Sequence, residues 1–127
     1  MSTPEVILVV DDNEDGLVLM RAVLELEGFL VDTAGCEEEL LVRLNARRPD
    51  MILMDVQLPR QDGLTITRRL KANPATAAIP IVALTAYAME SDRIQALAAG
   101  CIDHISKPID TRTLAHQIRE LLRVAVG

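Results

Sequence analysis

Aromatic residues are almost missing from this chain of 127 residues: Phe29 and Tyr87 are its only two, and tryptophan is absent. A core must therefore be aliphatic, and a pocket that sandwiches a flat cofactor ring has little to build with. Cysteine is equally scarce. Cys36 and Cys101 have neither the number nor the spacing of a disulfide framework or a zinc site, and they read as small buried or half-buried residues in a reducing compartment. Positive charge does not prevail either: 13 Lys and Arg stand against 19 Asp and Glu, a net charge of −6. That balance argues against a nucleic-acid-binding face. No apolar run approaches the roughly 20 residues of a membrane helix, and the polar, acidic start Met1-Ser2-Thr3-Pro4-Glu5 is unlike a secretory signal. The expectation is one soluble, cytoplasmic, acidic domain over 1–127, with its core at about 6–122 and no direct contact with nucleic acid or membrane.

What is present is alternation. Half of the residues are hydrophobic, and they fall into short apolar runs separated by helix-period stretches. Val6-Ile7-Leu8-Val9-Val10 reads as a first strand, followed by Leu17, Met20 and Leu24 at helical spacing and by Gly28 as a stop. Leu30 to Ala34 is of mixed character and suits a sheet edge. Glu37-Glu38-Glu39 opens a helix that Arg43, Arg47 and Arg48 close, signs that match the helix dipole. A strand Met51–Asp55 follows, then the turn-rich Leu58-Pro59-Arg60-Gln61-Asp62-Gly63. Ile66 and Leu70 mark a third helix stopped by Asn73-Pro74. Ile81–Thr85 is the fourth strand. Ile94 and Leu97 define a fourth helix capped by Gly100. The fifth strand spans about Ile102–Ile105, and Leu114, Ile118, Leu121 and Leu122 mark the last helix. Five βα units with right-handed crossovers predict a doubly wound α/β fold, a five-stranded parallel sheet for which we expect the flavodoxin-like order 2-1-3-4-5.

Polar residues stand where the apolar runs stop. Asp11 and Asp12 follow the first strand, Asp55 ends the third, Thr85 the fourth, and Lys107-Pro108 follows the fifth. Ligands of such sheets bind outside the carboxyl ends of the strands, so one site would collect three carboxylates, a hydroxyl and an ammonium. Each carboxylate pair at ~5 Å and an effective dielectric of ~20 repels by about 3 kcal/mol. The cluster therefore calls for cations: Lys107 and a divalent metal, Mg2+ or Mn2+ given all-oxygen ligands. The matching chemistry is phosphoryl transfer, with Asp55 as the nucleophile that becomes an acyl phosphate. The Thr85 hydroxyl and the Ala86 amide would donate to phosphoryl oxygens. Each residue also has a plainer reading: Asp12 as a helix N-cap, Thr85 as a turn residue, Lys107 as a surface charge.

Taken together, Asp11-Asp12, Met54-Asp55-Val56-Gln57-Leu58-Pro59 with Asp62-Gly63-Leu64, Thr85-Ala86 and Lys107-Pro108 resemble a response-regulator receiver domain, over about Val6 to Leu122. The resemblance implies that Asp55 takes its phosphoryl group from a phosphohistidine on a sensor kinase or histidine phosphotransfer protein. It implies Mg2+ on Asp12, Asp55 and the backbone carbonyl of Gln57, with Asp11 acting mostly through water. Lys107 would pair with Asp55, and Thr85 would move towards the phosphoryl group. Gln57 and Tyr87 would flank the path of hydrolytic water, and neither is a general base. One position departs from the family pattern: His104 stands where tyrosine or phenylalanine usually switches with Thr85, and its ordinary pKa near neutrality would add pH sensitivity. The segment Thr85-Ala86-Tyr87-Ala88-Met89 is similar to receivers that stand alone or sit in hybrid kinases, so output is expected by docking of a target protein on the fourth helix, fifth strand and fifth helix.

Three rivals are weighed. A haloacid-dehalogenase-type Mg2+ phosphatase needs an acid two residues after its nucleophile, where this chain has Asn13 after Asp11 and Gln57 after Asp55. A flavodoxin needs a Ser/Thr/Gly phosphate loop where this chain has Asp11-Asp12-Asn13-Glu14-Asp15. A degenerate receiver acting only as an interaction module would not need the full set of acids, Thr85 and Lys107.

Overall fold

A computed structural model describes residues 3–86 and 89–126. Five strands, β1 (Val6–Val10), β2 (Leu30–Ala34), β3 (Met51–Asp55), β4 (Ile81–Thr85) and β5 (Asp103–Ser106), alternate with helices α1 (Glu14–Leu26), α2 (Glu37–Ala46), α3 (Gly63–Ala72), α4 (Glu90–Ala99) and α5 (Leu114–Val126). The strands form one parallel sheet in the order β2-β1-β3-β4-β5, the flavodoxin-like order expected. β1, β3 and β4 are buried along their whole length, as central strands of a parallel sheet covered on both faces must be. β2 lies at an edge and leaves Leu30 and part of its polar residues accessible.

Alternate side chains of each strand feed two separate cores. Ile7, Val9, Met51, Leu53, Val82, Leu84 and Ile105 pack with Met20 and Leu24 of α1 and Leu114 and Ile118 of α5. Leu8, Val10, Ile52, Met54, Ile81 and Ala83 pack against Leu40, Ile66, Leu70, Ala96 and Ala99 of α2, α3 and α4. Helix ends follow local chemistry. Asn13 caps α1 through a bond from the Gly16 amide, and Asp62 caps α3 through one from Leu64. Acidic residues occupy the first turns of α1, α2 and α4, and basic ones the last turns of α2, α3 and α5. Gly100 ends α4 with a left-handed φ of 113°, as expected of a C-terminal glycine.

One expectation needs correction. β5 begins at Asp103 rather than Ile102 and ends at Ser106. Pairing with β4 begins at Val82–Asp103, while Ile102 packs at the margin of the α1/α5 core. α4 forms where Ile94 and Leu97 mark a helix and ends at Gly100; those two side chains are 57% and 39% exposed, and Ala96 and Ala99 are the buried ones.

Candidate functional site

The sheet order brings the ends of β1 and β3 side by side, with Val10 opposite Met54. Asp11 and Asp55 therefore leave adjacent strands at one height, and Asp12 follows on the loop. Carboxylate oxygens of Asp11, Asp12 and Asp55 lie within 4.8 Å of one another. Asp11 and Asp55 are nearly sealed, at 2% and 3% exposure, and Asp12 is exposed. The alternative role of Asp12 as a helix cap falls to Asn13.

Each buried carboxylate has one oxygen tied down. Asp11 Oδ1 accepts from the Asn13 amide at 3.0 Å, and Asp55 Oδ1 from the Gln57 amide at 2.9 Å. The other oxygens face Lys107, whose Nζ lies 2.9 Å from Asp11 Oδ2 and 3.3 Å from Asp55 Oδ2. Lys107 is held in turn by its own amide, which donates to the Thr85 carbonyl at 2.7 Å. Burial pushes the Asp55 carboxyl above its ordinary pKa, and the charge of Asp11 adds to this; the Gln57 amide and Lys107 oppose it without cancelling it. Burial alone would lower the Lys107 ammonium, but the hydrogen bond and charge of Asp11, then of Asp55, outweigh it and raise the pKa. The cluster is thus short of positive charge. A donor set of carboxylate oxygens, with one cation shared between two of three acids, suits a hard divalent ion.

Thr85 ends β4, buried, two strands from Asp11 and next to Asp55 in the sheet order. Ala86 follows it and is exposed. Tyr87, expected beside the water path, lies outside the described residues. His104 is not part of the acidic cluster: it sits on β5 opposite Ala83, under α4. Its Nδ1 is buried without a hydrogen bond and stands 3.5 Å from Asp103 Oδ1, which accepts from the His104 amide.

The loop after Asp55 carries a constraint that motif reading passed over. A Cβ on Gly63 would stand 2.0 Å from the Asp55 carbonyl oxygen, so the start of α3 presses directly on the end of β3. The Gly63 amide donates to the Val56 carbonyl, and Gln57 pairs with Asp62 across the loop. Arg60 turns the chain with a φ of 69°, a conformation that side chains other than glycine, asparagine and aspartate adopt reluctantly. The Asp62-Gly63 pair was the available signal, since glycine marks close backbone approach.

A doubly wound α/β domain with three acids and one lysine at the carboxyl edge of its sheet has the architecture of a receiver domain. The chain belongs to the response regulator receiver domain family, whose profile matches residues 7–119. It is 42% identical over 119 residues to the phosphate regulon transcriptional regulatory protein PhoB of Rhizobium meliloti, covering 94% of this chain and 52% of PhoB. It is 36% identical over 119 residues to the polar-differentiation response regulator DivK of Brucella anthropi, covering 94% of this chain and 97% of DivK. The crystal structure of a candidate response regulator from Chloroflexus aurantiacus superposes with a TM-score of 0.86 at 32% identity, over 94% of this chain and 98% of that one. The chain thus spans about half the length of PhoB and nearly all of DivK. Receiver domains are signalling switches of two-component systems; they bind Mg2+ at an acidic pocket and interact with histidine kinases or phosphotransfer proteins and with downstream targets. Among the described residues, no helix is long and apolar enough to cross a membrane.

Proposed function

We propose that this chain is a phosphoacceptor response regulator in which Asp55 receives a phosphoryl group from a phosphohistidine on a sensor kinase or histidine phosphotransfer protein. The observation that carries the reading is the position of Asp55: buried at the end of β3, its Oδ1 tied to the Gln57 amide and its Oδ2 3.3 Å from Lys107. The tied carboxylate is oriented for attack, and Lys107 is placed to neutralise charge on the transferred group. In the transfer, Asp55 Oδ forms a bond to phosphorus while the phosphorus–nitrogen bond breaks, and the imidazole leaves with the electron pair and takes up a proton. Asp11, Asp12, Asp55 and the Gln57 carbonyl would hold Mg2+, with Mn2+ as a substitute. That ion supplies electrostatic stabilisation of the phosphoryl oxygens. Thr85 and the Ala86 amide donate to those oxygens, and His104 responds as Thr85 shifts.

The output is docking of a protein target on α4, β5 and α5. Exposed Met89 just before α4 and Ile94 and Leu97 on it, at 70%, 57% and 39%, supply the apolar part of such a surface. The domain acts in the cytoplasm through protein partners, without direct contact to nucleic acid or membrane. The test is phosphorylation by phosphoramidate with Mg2+, read by intact-protein mass spectrometry. One phosphoryl group is expected on the native protein and none on Asp55→Asn; stoichiometric labelling of that variant would overturn the assignment.

A further inference from the structure

A small cavity of about 90 Å3 lies under the start of α4, lined by Gln57, Thr85, Asp92 and Gln95 with Leu64, Ala83 and other apolar groups beneath. That exceeds the roughly 10–15 Å3 that one water needs, and the polar groups on its wall can bind water. It shares two of its walls, Gln57 and Thr85, with the surroundings of Asp55. Asp92 is its one carboxylate. Of the other acids near Asp55, Asp11 bonds Lys107 and the Asn13 amide, Asp62 bonds the Leu64 amide, and Asp12 lies outside this cavity among the acids assigned above to Mg2+. The Asp92 side chain is half-buried and makes no hydrogen bond or ion pair among the described residues. Neither Gln57 nor Thr85 can take a proton from water near neutral pH.

We propose that Asp92 sets the lifetime of the aspartyl phosphate by holding hydrolytic water in this cavity and taking its proton. This rests on phosphorylation at Asp55 and adds the group that ends the signal. The oxygen of a water attacks phosphorus, and the bond between phosphorus and Asp55 Oδ breaks with its electron pair returning to the Asp55 carboxylate. The proton of the water passes through the cavity waters to Asp92 and from there to solvent, and inorganic phosphate leaves. No part of the acid pattern at the strand ends signals this role, because Asp92 comes from the first turn of α4.

The test follows decay of the phosphorylated full chain after donor removal at fixed Mg2+, in the native protein, Asp92→Asn and Asp92→Glu, with the forward rate measured in the same preparations. Loss of a positioned base slows decay by at least about tenfold in Asp92→Asn, and Asp92→Glu, which keeps the carboxylate, stays within about threefold of native. Decay of Asp92→Asn at the native rate or faster would overturn the proposal. So would an equal fall of the phosphorylation and decay rates, which marks a structural effect, or a Glu variant as slow as the Asn variant. Failure of the native protein to label at all would instead overturn the phosphoacceptor reading.

Discussion

α4 and α5 flank β5 from opposite faces of the sheet, yet they are attached by different means. α5 drives Leu114, Ile118 and Leu122 into the core shared with α1. α4 offers Ala96 and Ala99, and turns Ile94 and Leu97 to solvent. A fully buried isoleucine or leucine contributes about 1.5–3 kcal/mol and a single methyl-sized group about 0.8 kcal/mol. α4 is therefore held by a fraction of what holds α5. Its C-terminal end is the exception. Lys71 of α3 donates to the Ala77 and Ile79 carbonyls, and its stem lies against Gly100. The difference separates a helix that builds the fold from one that can shift at low cost, and the shiftable one begins beside Thr85.

The comparison breaks most directly in the core. Ile118→Ala should lower the free energy of unfolding by about 2–5 kcal/mol in urea titration, whereas Ala96→Gly should cost about 1 kcal/mol. Equal losses would show that α4 is as firmly packed as α5. Next in size is Gly100→Ala. It places a side chain at a left-handed φ and within 2.7 Å of Lys71 Cγ, for a cost of about 1–3 kcal/mol. Amide hydrogen exchange should then show α4 opening more readily while α5 is unchanged. Ile94→Ser combined with Leu97→Ser should move stability by less than about 0.5 kcal/mol per site, as exposed positions do. The same pair should weaken capture of a docking partner by the phosphorylated protein.

The smallest effect is one of pH. Burial pushes the Cys101 thiol up from 9.0 to about 11, with Thr67 and Lys71 opposing. Its folded pKa exceeds the unfolded one, so the native state holds the proton longer. The contribution is fully present below pH 9.0 and is lost as pH rises towards about 11. Denaturation midpoints of Cys101→Ala should fall less over that window than those of the native protein.

The strands were legible because β1, β3 and β4 are continuous apolar runs, but their order was not, since βα alternation and right-handed crossovers fit more than one arrangement of the same elements. Asp11, Asp55, Thr85 and Lys107 were legible because strand ends are fixed points: the residue after a buried run has one place to be. The side of α4 was not legible. Helical spacing of Ile94 and Leu97 says that they share a stripe, and says nothing of whether the sheet or the solvent receives it. The structure gives the inner side to Ala96 and Ala99. The contact between Gly63 and the Asp55 carbonyl was likewise invisible, being a distance between backbones rather than a property of either residue. Asn13 as cap, in place of Asp12, turned on one residue of phase.

Parallel strands with right-handed crossovers point every helix the same way, N-terminus towards the strand ends that carry Asp55. The acidic first turns, Glu14 and Asp15, Glu37 to Glu39, Glu90 and Asp92, consequently crowd that rim, and the basic last turns of α2, α3 and α5 gather at the opposite one. The domain is an electrical arrow. A partner with a positive surface is turned towards the phosphoacceptor rim before any contact forms, so encounter slows as salt rises.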